Sequence, residues 1–323
     1  MEEGKYCTAL FLDIEKAFDN VWHKRLLEKL RIGLSADLYP VISSYLTSRY
    51  FYVKIRNATS SRRKIEAGVP QESILGPILY SIFTADLPTV LNTETYTFAD
   101  DTAILSVKKN VKTATSTLQN HLQKMEDWMR NNKIKINITK CSHITFTLKK
   151  EEPPKIKLQN LEVPQTNSVK YLGLHLDKKL NWKKHIQEKI KHINISKRSM
   201  YWLMAKNSKL SAANKLLLYK VILKPIWTYG LQIWGMAAKS NIKKMESTQS
   251  KILRSVLQAP WYVRNDDIRK TPKIPTVEEE IVRHSKAHQN RTSNHVNPLA
   301  SDCYSNLPRR LKRKHPIDLL NNF

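Results

Sequence analysis

The hydrophobic pattern opens at once. Residues 6–12, YCTALFL, are an apolar run of strand formers that ends on Asp13 and reads as a buried strand. Residues 20–31 carry Val21, Leu26, Leu27 and Leu30 on one side, which predicts a helix. Residues 95–107, TYTFADDTAILSV, read as two strands meeting at a tight turn on Asp100–Asp101. From 111 to 131 the apolar positions Val111, Ala114, Leu118, Leu122, Met125, Trp128 and Met129 recur at gaps of three and four, so an amphipathic helix is expected. Ile134, Ile136 and Ile138 alternate at strand period, as do Ile144 and Phe146. A Lys/Glu/Pro loop at 149–155 precedes further strands at 155–163 and 168–176.

After Asn181 the period becomes helical. Ile186, Ile190 and Ile193 share a face, as do Leu216, Leu217, Val221 and Leu223 before Pro225, and a third helix is expected over 241–258. The last 60 residues differ. Residues 281–323 hold eight Lys/Arg, four His and two acidic groups, which predicts a partly ordered basic tail. The pattern therefore gives an α+β first part over 1–180, a helical part over 181–260 and a tail over 261–323, with no internal repeat.

Hydrophobic residues make up 41% of the 323, enough for a packed core. The 55 Lys and Arg against 28 Asp and Glu leave a net charge of +27, so the natural partners are polyanions, nucleic acid before acidic membrane. Cys7, Cys141 and Cys303 are far apart, which argues against a disulfide framework or a zinc finger and fits a reducing compartment. No signal-peptide pattern follows MEEGK. The most apolar stretch, 74–85, is too short to cross a bilayer. An intracellular protein, nuclear or cytoplasmic, is expected.

Three carboxylates stand in apolar surroundings: Asp13 at the end of a strand, and Asp100 with Asp101 at a turn. Read singly, Asp13 could cap a helix and the pair could merely make a turn. Read together, two strands delivering carboxylates to one point would bind two divalent cations, and hard oxygen ligands suit Mg2+.

The motif GVPQESILGPIL at 68–79 narrows the choice. With LDIEKAFDNVWH at 12–23, FADD at 98–101, NITKCSHITF at 137–146 and YLGLHLDKKLNW at 171–182, it forms an ordered set. That set resembles the reverse transcriptases of non-LTR retrotransposons, the jockey-like group in particular. YGLQIWG at 229–235 resembles that family's thumb region, and HVNPLA with RRLKRKHPIDLL resembles the end of its open reading frames. The resemblance implies a polymerase palm, a ferredoxin-like sheet with helices on one face, with partial fingers in 1–180, followed by the helical thumb and the basic tail. It implies an RNA template, a DNA primer and dNTPs as partners. Asp13, Asp100 and Asp101 would be the metal-binding catalytic triad. Phe18 would select deoxynucleotides by crowding a ribose 2′-hydroxyl, although its ring also suits a core position. Gln71 would help hold nucleotide and template. Lys140 would approach the pyrophosphate, unless it is simply a solvated lysine. Tyr171, Leu172 and Gly173 would position the primer end.

The sequence departs from the family's pattern in two places. The family has glycine after the glutamine of this motif, where this chain has Glu72, which adds bulk and negative charge beside a triphosphate. The chain also opens at the first catalytic block, so the expectation is a truncated element copy lacking the fingers segment before Lys5. The catalytically silent alternative is then a nucleic-acid-binding remnant. RRLKRK at 309–314 reads equally as a nuclear signal, a nucleic-acid patch or a solvated basic helix.

Overall fold

The run that opens the pattern is the second-from-edge strand of a four-stranded antiparallel sheet. In a computed structural model that describes residues 1–305 and 309–320, β1 (Tyr6–Leu12) lies between β7 (Asp101–Lys108) and β8 (Ser142–Phe146), and β6 (Glu94–Phe98) lies outside β7. The order β6-β7-β1-β8, with helices in both long connections, is the split β-α-β arrangement of ferredoxin-like sheets. Between β1 and β6 come α1 (His23–Gly33), α2 (Leu38–Leu46) and α3 (Leu75–Thr84), together with an exposed ribbon over residues 50–64. The ribbon is built of β2 (Tyr50–Phe51) paired with β5 (Arg63–Lys64), and β3 (Lys54–Ile55) paired with β4 (Ala58–Thr59). The helix α4 (Val111–Asn131) fills the second connection over the range its periodicity predicts.

Alternation decides which face of the sheet is covered. Leu10 and Leu12 of β1 and Ile104 of β7 share one core with Leu26 and Leu30 of α1, Leu79 and Phe83 of α3, and Leu118, Leu122 and Met125 of α4. Helices therefore stand on one face. Odd-numbered positions of β1 and β7 turn to the other. The expected strand through Ile134, Ile136 and Ile138 is not formed. Only Ile136 makes a bridge, to Ile14, and the chain turns at 138–140, because these isoleucines pack against the same core from a loop. The strand expected at 155–163 is a short hairpin, Lys157–Leu158 against Leu161–Glu162.

Contacts divide the chain into a unit over Glu3–Leu172 and a second over Gly173–Phe323, so the division falls at 172/173 and residues 261–320 form no unit of their own. In the second unit Asp177 takes backbone N–H groups of Lys179, Asn181 and Trp182 on its carboxylate and turns the chain into the helix Lys183–Ser199. The helix expected to stop before Pro225 instead continues. Ala212–Leu218 passes through a π turn at Tyr219–Leu223 into Lys224–Thr228. Pro225 directly follows the π turn and has no N–H to donate back to the preceding turn, so the ladder loosens where the proline stands.

Composition predicts a partly ordered tail, but residues 277–292 form a helix whose Val277 and Ile281 join Leu223, Trp227 and Trp234 in the second core. Glu280 on it is fully buried and is held by Lys224 and Arg283, the pairing a buried carboxylate requires. Further on, Leu319 is fully buried in the same core. Arg309 bonds Asp318, and Arg310 and Leu311 bond Glu2. The basic run 309–314 is thus docked. Polar composition hid a segment anchored by few but well-placed apolar residues. Leu319→Ala is expected to cost about 2–5 kcal/mol, read as a lower denaturation midpoint. An unchanged midpoint would show that the tail does not contribute to this core.

The charge is uneven. Residues 173–323 hold 30 of the 55 Lys and Arg but 10 of the 28 acids, a surplus of 20 out of the total of 27.

Candidate active site

Strand register brings the first two acids together. Leu12 pairs with Thr102, so one further step sets Asp13 opposite Asp101 on the neighbouring strand, on the face away from the helices. Directly opposed positions bring Cβ atoms to roughly 4.5–5.5 Å, and like charges there repel. Asp100 belongs to the two-residue turn between β6 and β7, in which Ala99 takes a left-handed φ of 52°. The three carboxylates sense one another. Burial, then Asp100, then Asp13, raise the Asp101 carboxyl above its ordinary range. Among the described residues, no three His, Cys, Asp or Glu side chains are already closed into a metal-holding cluster. A donor set of Asp13, Asp100 and Asp101, hard, anionic and mutually destabilised, fits a divalent cation.

Of the other sequence-predicted residues, Lys140 and Tyr171 lie near the acids. Lys140 Nζ lies 4.0 Å from Asp13 Oδ2, with both side chains substantially exposed. The Asp13 backbone is fixed from two sides: its N–H donates to Cys141 Sγ at 3.4 Å, and its carbonyl accepts from Asn137 N–H at 3.0 Å. Burial raises the Cys141 thiol above its ordinary range. Tyr171 packs on Phe11 with ring centroids 5.0 Å apart, and burial followed by the charge of Asp101 raises its phenol. Leu172 has a φ of 44°. Gly173 opens the second unit with a φ of 77°, and a Cβ there would meet the Tyr229 ring at 2.9 Å.

Beside Asp100 lies a cavity of about 410 Å3, lined by Lys16, Phe18, Pro70, Gln71, Glu72 and Asp100 among others. Its walls are two loops bonded backbone to backbone. Val69 N–H donates to Phe18 O and Gly68 N–H to Val21 O, both at 2.8 Å. Glycine is required in this wall: at φ 93°, a Cβ on Gly68 would meet Asp19 O at 3.0 Å. Ser73 Oγ donates to Pro70 O and accepts from the N–H of Gly76, in the first turn of α3. A Cβ on Gly76 would meet Pro70 O at 2.6 Å.

Two residues with a part here were not singled out by sequence reasoning. Gln71 Nε2 donates to Asp19 Oδ1 at 2.6 Å, so Asp19 orients the glutamine. Its place directly after Phe18 in AFDN was the available signal. Tyr80 lies under Phe18, with ring centroids 4.8 Å apart, and burial and then Asp100 push its phenol far up, so it stays protonated. Glu72 is exposed and has a φ of 59°, in the left-handed region. A glycine at this position would relieve a backbone demand as well as a steric one.

Comparison with known proteins gives the same direction. Residues 1–176 match the family model described as reverse transcriptase (RNA-dependent DNA polymerase). The probable RNA-directed DNA polymerase from transposon X-element of Drosophila melanogaster is 39% identical over 99% of this chain and 36% of its own length. The RNA-directed DNA polymerase from mobile element jockey of the same fly is 38% identical over 99% of this chain and 37% of its own. The chain thus spans little more than a third of the relatives it matches. Among solved structures, the apo telomerase of Candida tropicalis covers 82% of this chain and 43% of its own at 10% identity, with a TM-score of 0.44, too slight a likeness to carry an argument.

Proposed function

This chain belongs to the reverse transcriptase (RNA-dependent DNA polymerase) family, in its non-LTR retrotransposon branch, and we propose that it extends a DNA primer on an RNA template from dNTPs. The observation that carries the proposal is the grouping of Asp13 at the end of β1 with Asp100 and Asp101 at the start of the paired β7, their charges acting on one another, with the Phe18–Gln71 cavity beside Asp100.

Asp13, Asp100 and Asp101 would hold two Mg2+ ions, which supply activation of the primer hydroxyl and charge relief at the leaving pyrophosphate. The chain's own residues do the rest. Phe18, backed by Tyr80, closes the wall where a ribose 2′-hydroxyl would sit. Gln71, turned by Asp19, faces the nucleotide. Lys140, near Asp13, is placed to offset charge on the departing phosphates. Tyr171, Leu172 and Gly173 position the primer end. Phosphoryl transfer asks mainly for positioning and charge stabilisation, which is what this set offers. Such a protein would work inside the cell, in nucleus or cytoplasm. Among the described residues no helix is long and apolar enough to cross a membrane.

One observation favours a second reading. Glu72 puts a carboxylate on the cavity wall and a side chain on a left-handed backbone, which suits a catalytically silent nucleic-acid-binding remnant. Primer extension on an RNA template with dNTPs and Mg2+ separates the two. Incorporation that depends on all three acids supports the polymerase. Its absence from both the unmodified chain and Glu72→Gly supports the remnant.

Both readings share one expectation. Binding of a primer–template duplex should weaken steeply with salt, log affinity falling linearly against log salt with a slope near −0.9 per phosphate neutralised on duplex DNA. Titration from low to moderate salt reads the slope directly, and a flat line would sink both readings.

A further inference from the structure

The helix Lys239–Val256 is followed by a turn that shows two aromatic rings to solvent. Residues 260–263, PWYV, form the turn, closed by Val263 N–H donating to Pro260 O at 3.2 Å. Trp261 is 88% exposed and Tyr262 70%. Their rings meet edge to face, centroids 6.0 Å apart at 82°, so one ring keeps both faces clear of the other.

This display is built in. Arg254, on the last turn of the helix, donates from Nη1 to Pro260 O, and from Nη2 to Val263 O at 2.7 Å and Asn265 Oδ1 at 3.0 Å. The Ala259 N–H returns to Arg254 O at 3.0 Å, and Gln258 Nε2 donates to Lys206 O at 3.3 Å. A planar guanidinium spread over three acceptors fixes the turn from below. The fold gains nothing by holding a tryptophan and a tyrosine out in water. Rigid aromatic rings with little entropy to lose are what binding surfaces use.

Charge selects the partner. Lys251, one turn before Arg254, and Arg264, directly after the turn, are exposed cations. The acids that follow are already paired, Asp266 with Arg269 at 3.3 Å and Asp267 with Lys270 at 3.2 Å. The unit that carries the turn holds the basic surplus of 20. We infer that the Trp261–Tyr262 turn is a stacking site for an unpaired base of single-stranded nucleic acid, with Arg264 and Lys251 meeting the flanking phosphates. Each base stacks on an aromatic face whatever its identity, so the site reads strandedness and ignores sequence. The inference rests on reading the chain as a nucleic-acid polymerase, but it concerns a strand outside the paired duplex.

The test uses the full chain and two fluorescein-labelled probes, single-stranded oligo(U) and a blunt duplex of the same length, followed by anisotropy. Trp261→Ala with Tyr262→Ala is expected to weaken oligo(U) binding by between about fivefold and about 150-fold, with duplex binding unchanged. Trp261→Phe with Tyr262→Phe keeps most of the affinity, since a ring remains. Thermal melting should not move, because both side chains are exposed. Unchanged oligo(U) affinity in the double alanine variant overturns the inference, as does an equal loss on both probes. A change in sedimentation without a change in binding would assign the turn to a second copy of the chain and overturn it too. If the unmodified chain binds duplex but not oligo(U), only this inference falls. If it binds neither, the polymerase reading falls with it.

Discussion

Asp101→Asn, measured in a Glu72→Gly background, is expected to abolish any dNTP incorporation and at the same time to make the metal-free fold more stable at neutral pH. The first effect would follow from removing one of the three carboxylates proposed to hold the cations. Lewis-acid stabilisation is worth several kcal/mol, so the loss is roughly a thousandfold or more. The second follows from the raised Asp101 carboxyl. A carboxyl whose folded pKa lies above its unfolded value favours the folded state below the unfolded value. That contribution is lost as pH rises through the folded one. At neutral pH the ionised Asp101 is therefore a cost, from partial desolvation and then from Asp100 and Asp13, kept small by the side chain's exposure to water, and asparagine removes it. Mg2+ should substitute for the mutation. At a hundred times its Kd, a ligand bound only by the folded state adds about 2.7 kcal/mol. Melting curves of both proteins, with and without Mg2+, should show a large rise for the aspartate form and little for Asp101→Asn. Persistent incorporation by Asp101→Asn, or an aspartate form indifferent to Mg2+, would remove the three acids from the chemistry.

A second large effect is expected at Glu72, where two causes separate by choice of substitution. Glu72→Gly removes both the charge and a side chain at φ 59°. Glu72→Gln removes the charge alone. A carboxylate 4 Å from a phosphate charge costs about 1 kcal/mol in bulk water and about 4 kcal/mol at an effective dielectric of 20. Incorporation by Glu72→Gln should therefore rise between about fivefold and about a thousandfold, toward the upper end if the loaded cavity excludes water. Glu72→Gly should gain as much and also stabilise the fold by about 1 kcal/mol, the cost of holding an L residue in the left-handed region. The measurements are single-nucleotide incorporation and a denaturant midpoint. Equal rates in all three proteins would mean that Glu72 does not face the nucleotide and that its presence does not silence the chain.

What could be read from the sequence was whatever depends on short-range period. β1, the hairpin around Asp100 and the helix Val111–Asn131 follow from alternation, a two-residue turn and gaps of three and four. The identities of the acids were legible as well, because ionised groups in apolar runs need a reason. Their arrangement was not. Asp13 meets Asp101 only through the pairing of β1 with β7, which no local pattern specifies. The same holds for Asp19 and Gln71, brought together by two loops that bond backbone to backbone. Residues 34–67 gave no usable period because much of that stretch is exposed, and an exposed ribbon has no buried face to imprint an alternation. Ile134 to Ile138 misled for the converse reason: a loop that feeds side chains into a core can imitate a strand. The tail misled through averaging, since Ile281 and Leu319 are few among polar neighbours yet fully buried.

The uneven charge has a kinetic meaning. A field made of many exposed lysines and arginines holds a polyanion without fixing its register, since each phosphate is equivalent to the next. With most of the surplus in residues 173–323, and Asp13, Asp100 and Asp101 in the other unit, a nucleic acid would advance by one nucleotide without the field opposing the step. Salt would then shorten the run of additions made per encounter while leaving the rate of each addition nearly untouched. Processivity and catalytic rate would be properties of different parts of the chain.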